Sequence, residues 1–212
     1  DISQDLETIV KFVLEEVYEV VDAVETRDYS HLKEELGDLL FQVIFMCKLA
    51  DEKKLFDFDE VASELVAKLV RRHPHVFPDG TLFSKRIIGD DNCLQQISAK
   101  WEEIKLAERV KKGQEQLLSN IPLAIPALAR AEKIQKRTSK AGFDWDNVDT
   151  VLSKVKEELG ELEDSMQEGN QASIEEEFGD LLFSCVNLAR HLSINSEQAL
   201  RKASAKFVER VC

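Results

Sequence analysis

The stretch Glu34-Glu35-Leu36-Gly37-Asp38-Leu39-Leu40-Phe41 occurs again, little changed, as Glu176-Glu177-Phe178-Gly179-Asp180-Leu181-Leu182-Phe183. The two copies are 142 residues apart, and the same shift carries Glu15, Glu16, Glu19 and Asp22 onto Glu157, Glu158, Glu161 and Asp164 without a gap. About a third of positions 14–46 are identical under this shift, several times the chance level. Further along the offset changes, and Lys68-Leu69-Val70-Arg71-Arg72 matches Lys206-Phe207-Val208-Glu209-Arg210. Self-similarity of this kind means one folding unit used twice.

Working outward from the repeat, apolar residues recur at helical spacing almost throughout, with little period-two alternation. A first helix is predicted from about Asp5 to Arg27, its inner stripe formed by Ile9, Phe12, Val13, Val17, Val20, Val21 and Val24. A second follows Tyr29-Ser30 and runs to about Lys53; a third starts with Asp59 as N-cap and closes before Pro74. Residues 78–92 read as an irregular excursion, and a further helix is predicted from about Gln95 to Leu118. Ser119-Asn120-Ile121-Pro122, followed by Pro126, marks a boundary. Pro126 suits the first turn of a helix that Gly142 ends. Another helix is predicted to start near Asp149, and Ser173 with Glu176 forms a capping box for the one after it. The expected fold is therefore all-α, with one helical unit at residues 1–118, a linker at 119–126 and a second unit at 127–212.

Each unit carries Glu-Glu-x-x-Glu on one helix and Glu-x-x-Asp on the next. Residues three apart share a helix face, so Glu16 projects with Glu19 and Glu35 with Asp38. A short connection makes the two helices antiparallel neighbours, and the four acids converge. Acidic residues on helices ordinarily face water. Here Glu16 falls within the arc of Ile9, Phe12 and Val20, and Glu35 and Asp38 lie on a helix that is apolar on nearly every side. Such a helix is expected to be mostly buried, which makes unpaired carboxylates costly and mutually repulsive. A hard divalent cation relieves both problems; a salt bridge from Lys33 or the third helix is the competing solution. Glu-x-x-His, which a diiron carboxylate bundle requires, is absent, since none of His31, His73, His75 and His191 has a Glu three residues before it. Gly37 and Gly179 inside their helices suggest close helix approach.

Cations form a second group. Lys202, Lys206 and Arg210 stand four apart in a row, Lys68 and Arg72 match the last two, and Arg190 matches Lys48. Beside a metal cage such cations can hold a triphosphate. No glycine loop of the Walker type occurs, which excludes a P-loop enzyme. The net charge of −13 argues against polymeric nucleic acid as a partner, although a bound cation reverses the sign locally. No apolar run is long enough to span a bilayer and no signal peptide is seen. The cysteines Cys47, Cys93, Cys185 and Cys212 show no zinc spacing. The expected setting is reducing and cytoplasmic. The chain opens at Asp1 without a methionine, so an additional natural N-terminal segment is expected.

Taken together, these motifs resemble the MazG family of nucleoside triphosphate pyrophosphohydrolases. Leu14-Glu15-Glu16-Val17-Tyr18-Glu19, Glu35-Leu36-Gly37-Asp38-Leu39-Leu40-Phe41-Gln42-Val43 and Arg72-His73-Pro74-His75-Val76-Phe77 are similar to the family's N-terminal domain. Trp101-Glu102-Glu103-Ile104-Lys105, Gly142-Phe143-Asp144-Trp145 and Asn187-Leu188-Ala189-Arg190-His191-Leu192 are similar to its more C-terminal segments. The resemblance implies Mg²⁺-dependent hydrolysis of NTPs to NMP and pyrophosphate, Mn²⁺ substituting, by an all-α intertwined homodimer with a nucleotide-pool house-cleaning role. It implies that Glu158, Glu161, Glu177 and Asp180 hold metal in the second unit, and Glu16, Glu19, Glu35 and Asp38 in the first. It assigns activity to the C-terminal unit, with Lys206 and Arg210 on the phosphates; the cation pattern adds Lys202 and Arg190 as candidates to bind substrate. Glu157 or Glu158 is the candidate base toward water, and Phe143 and Trp145 are candidates to stack on the nucleobase. The family's Cys-Pro-Trp-Asp stretch is missing, and Ser204 and Val211 stand where its C-terminal pattern has Asn and Phe. The alternative reading is an acidic helical adaptor without catalysis, which leaves the duplicated acids unexplained.

Overall fold

The computed structural model describes residues 5–84, 100–101, 103–105, 107–108, 117–119 and 121–211. Among them all regular structure is helical: α1 Leu6–Thr26, α2 Tyr29–Glu52, α3 Phe58–Arg72, α4 Ala127–Lys140, α5 Val148–Glu168, α6 Gln171–His191 and α7 Ser196–Val211. The all-α expectation holds. Residues 100–101, 103–105 and 107–108 are helical too; most of the helix predicted for 95–118, and much of the excursion at 78–92, lie outside the described residues. The chain divides into two compact units, residues 1–107 and 108–212. No helix among the described residues is long and apolar enough to cross a membrane.

Each unit is built on a helical hairpin. Asp5 caps α1 by accepting from the backbone N–H groups of Glu7 and Thr8, while Thr8 returns the bond to the cap. The helix ends where Arg27 enters the left-handed region at φ 59°, and Asp28 at once caps α2 through Ser30 and His31. In the second unit Asn147 caps α5, Gly169 at φ 72° ends it, and Asn170 caps α6. So short a turn forces each pair into a hairpin, α1 against α2 and α5 against α6.

Two capping expectations shift. The α3 box is made by Asp57 with Glu60, not by Asp59. Helix α5 starts next to Asp149 as expected, capped by Asn147, but Ser173 lies inside α6 because Asn170 has already capped it. In each case the nearest side chain able to accept from the first free N–H groups takes the cap.

Helix α2 is not mostly buried. Leu36, Leu40, Phe41 and Ile44 are 50%, 55%, 59% and 47% exposed, whereas Glu35, Gln42, Cys47 and Ala50 are buried. Helix α6 repeats this: Ser184, Val186 and Asn187 are buried, while Phe178, Leu182 and Phe183 are exposed. The face of α2 that meets α1 is thus partly polar, and a hairpin is too thin to enclose a helix that is apolar all round. Among the described residues, nothing outside their own helix backbone and chain neighbours lies within 4 Å of where a Cβ would stand on Gly37 or Gly179, so these residues give no close helix approach within either unit.

Candidate active site

The hairpin geometry brings carboxylates together in both units. In the first, half-buried Glu16 on α1 meets Glu35 and Asp38 on α2, with one ligand oxygen from each within 4.8 Å of the others. In the second, Glu158 on α5 meets Glu177 and Asp180 on α6 under the same limit. Glu35 and Glu158 are each only 6% exposed; Asp38 and Asp180 face solvent. The fourth acid of each motif, Glu19 or Glu161, lies outside that spacing and is exposed.

These acids feel one another. Burial, and then the charges of Glu35, Glu16 and Glu15, push the Glu19 carboxyl above the ordinary carboxylate range. Glu177 is raised in the same way, by burial first and then by Glu161, Asp180, Glu158 and Glu176. Three carboxylate oxygens within 4.8 Å of one another form the hard oxygen donor set that a small divalent cation prefers.

The surroundings of the two clusters differ. In the first unit Gln42 Nε2 donates to Glu16 Oε1 at 3.1 Å, and His31 Nδ1 lies 3.1 Å from Glu35 Oε1. In the second, Lys154 Nζ lies 2.8 Å from Glu158 and 2.7 Å from Glu157. Those hydrogen bonds, Glu157's first, hold the Lys154 ammonium above the ordinary lysine pKa. Under the repeat, Phe12 occupies the position of Lys154, Ser173 that of His31 and Ser184 that of Gln42. His31 and Lys154 thus come from one turn earlier on the same helix as the glutamate they face, not from Lys33 or α3.

Arg190 is already engaged. Its guanidinium donates to both carboxylate oxygens of Asp144, Nη1 to Oδ2 at 3.0 Å, and Nε donates to Asn187 Oδ1 at 3.0 Å. His191 Nε2 lies 3.1 Å from the same carboxylate. The Arg190 hydrogen bonds pull the Asp144 pKa down to about 2, with help from His191 and the Trp145 N–H against a smaller opposing effect of burial. This clasp ties the segment carrying Phe143 and Trp145 to the end of α6. Lys202, Lys206 and Arg210 are exposed on α7.

Sequence reasoning missed Lys154, His31, Gln42 and Gln135. The first two carried a signal, since each precedes its buried glutamate by four residues and so shares its helix face. The glutamines carried none: Gln42 meets Glu16 across 26 residues and Gln135 meets the Phe183 carbonyl across 48.

A model of the MazG nucleotide pyrophosphohydrolase domain matches the chain over residues 4–77 and 146–211. These segments contain the two carboxylate clusters. The nucleoside triphosphate pyrophosphohydrolase of Escherichia coli K12 is 45% identical over 212 residues, covering 99% of this chain and 77% of the relative. The nucleoside triphosphate pyrophosphohydrolase/pyrophosphatase MazG of Thermotoga maritima is 41% identical over 210 residues, covering 99% and 76%. The nucleoside triphosphate pyrophosphohydrolase of Mycolicibacterium smegmatis is 34% identical over 154 residues, covering 72% and 44%. With the domain matched twice and relatives aligned along nearly its whole length, the chain belongs to the MazG nucleotide pyrophosphohydrolase family.

Proposed function

We propose that the chain hydrolyses nucleoside triphosphates to NMP and pyrophosphate, as a house-cleaning enzyme of the cytoplasmic nucleotide pool. The observation that carries this reading is the same carboxylate triad, closed to within 4.8 Å, in both units. Glu158, Glu177 and Asp180, with Glu161 beside them, would hold Mg²⁺, or Mn²⁺ in its place; Glu16, Glu35, Asp38 and Glu19 would do so in the first unit. Once bound, the cation supplies Lewis acidity toward the phosphate oxygens and an acidified water. Glu157 or Glu158, whichever is less engaged, takes the proton of the attacking water. Lys202, Lys206 and Arg210 contribute positive charge to the phosphates. Trp145 offers a ring to the base, and Arg190 serves by holding Asp144 and hence that ring in place.

A homodimer belongs to the same proposal. Contiguous apolar surface on a folded chain marks an association site, and the outer faces of α2 and α6 carry Leu36, Leu40, Phe41, Phe178 and Leu182 in the open.

Glu177→Gln and Asp180→Asn are expected to abolish pyrophosphate release while leaving the far-UV circular dichroism of the helices intact. Undiminished activity in both, and in Glu35→Gln, would reject the carboxylate site.

A further inference from the structure

A cavity of about 470 Å³ lies wholly within the second unit, lined by Ile134, Gln135, Thr138, Phe143, Trp145 and Phe183 among others. Its size is in the range of small-molecule sites. Phe183 lies three positions after Asp180 on α6, about 4.5 Å along the helix axis. The cavity and the carboxylate triad thus occupy successive turns of one helix.

Gln135 is the unusual member of the lining. It is 4% exposed, and its Nε2 donates to the Phe183 carbonyl at 2.8 Å. Only the amide nitrogen can donate to a carbonyl, so the orientation of the side chain is fixed and Oε1 must be an acceptor. That oxygen is closed to solvent and has no partner among the described residues. A buried acceptor left without a donor carries its desolvation penalty with no bond in return. Phe143, Trp145 and Phe183 surround the same space with aromatic carbon, which favours a flat ring. Gln135 lines the same space, and a flat ring with an N–H on its edge would satisfy both the walls and, once it displaces the cover over Oε1, the oxygen.

We infer that Gln135 is a specificity-determining residue: its Oε1 accepts a hydrogen bond from an N–H on the edge of the nucleobase held in this cavity. The inference rests on the proposed pyrophosphohydrolase reading and adds to it a criterion for the base. A site built around a hydrogen bond rejects an analogue lacking the donor far more strongly than a merely apolar pocket rejects a change of shape.

Two donor-deleted pairs test this: ATP against purine riboside triphosphate, which lacks the amino group, and UTP against 3-methyluridine triphosphate. In at least one pair, wild-type kcat/KM for pyrophosphate release is expected to favour the donor-bearing substrate at least tenfold. Gln135→Met should reduce that ratio to within about twofold, mainly by raising KM for the natural substrate. Trp145→Ala, which removes a wall of the cavity and leaves Gln135 in place, should weaken all substrates alike. Equal rates within both pairs for the wild type, or a ratio unchanged in Gln135→Met, would overturn the assignment. A wild type that releases no pyrophosphate from any NTP would instead reject the catalytic reading. In that event, quenching of Trp145 fluorescence in a Trp101→Phe background, by AMP against purine riboside monophosphate and by UMP against 3-methyluridine monophosphate, decides the pocket separately. Preference for a donor-bearing ligand in either pair supports it, and no preference in either rejects it.

Discussion

Lys154 and Phe12 hold the same position in the two copies of the repeat, so an ammonium faces the second carboxylate cluster where the first copy has an aromatic ring. In the second unit an ammonium stands 2.8 Å from a glutamate that is 6% exposed. Removing it leaves a buried charge without compensation, which is the costly half of any ion pair. Lys154→Met is therefore expected to destabilise the metal-free protein by about 1–2 kcal/mol, a low figure because the lysine is partly exposed and screened. Its melting temperature should also rise more on adding Mg²⁺ than the wild type's does, since the cation then meets no competitor at Glu158. Differential scanning fluorimetry with and without Mg²⁺ measures both effects, and equal shifts would show that the lysine does not neutralise the cluster. At this scale the sequence reveals which acids share a face, because helical spacing fixes that. It does not reveal their depth: Glu35 is buried and Asp38, one turn on, is exposed, a difference set by what the neighbouring helix covers.

Among the elements, the segment between α4 and α5 is tied to α6 by a side-chain clasp. Gly142, at φ 87°, turns the chain out of α4, and Asp144 then closes on Arg190 and His191 of α6. The Asp144 pKa is lowered from 3.8 to about 2. A carboxylate whose folded pKa is depressed contributes stability that is complete above its unfolded value and disappears as pH falls through the folded one. The difference in urea midpoint between wild type and Asp144→Asn should accordingly shrink as pH falls from about 4 to about 2. A difference independent of pH over that range would show that the charge of Asp144 is not what holds the segment. The helices themselves are legible from apolar periodicity, and most of their ends from proline, glycine and capping residues. The clasp is not. Asp144 and Arg190 are 46 residues apart, and nothing in either local pattern announces the other.

For the whole molecule, the repeat leads to the architecture directly, because two copies of one pattern need only one hairpin explained. The surroundings of α2 are where the sequence misleads. Apolar residues on all sides suggest burial within the chain, yet Leu40 and Phe41 remain 55% and 59% exposed. Under the proposed association these surfaces close against a second copy. Phe41→Glu should then convert a dimer to a monomer in sedimentation velocity, and the wild type's melting temperature should rise with protein concentration as linkage requires. A wild type that sediments as a monomer at tens of micromolar would reject the dimer.

The polar-inward, apolar-outward arrangement of α2 and α6 has a consequence for anyone altering this protein. Its outer residues cannot be treated as ordinary varnish, to be made more hydrophilic for better handling. Under the proposed association those outer side chains are themselves the contact, so polishing them removes greasy contacts for which the inner face, partly polar at Glu35, Gln42 and Asn187, holds no substitute.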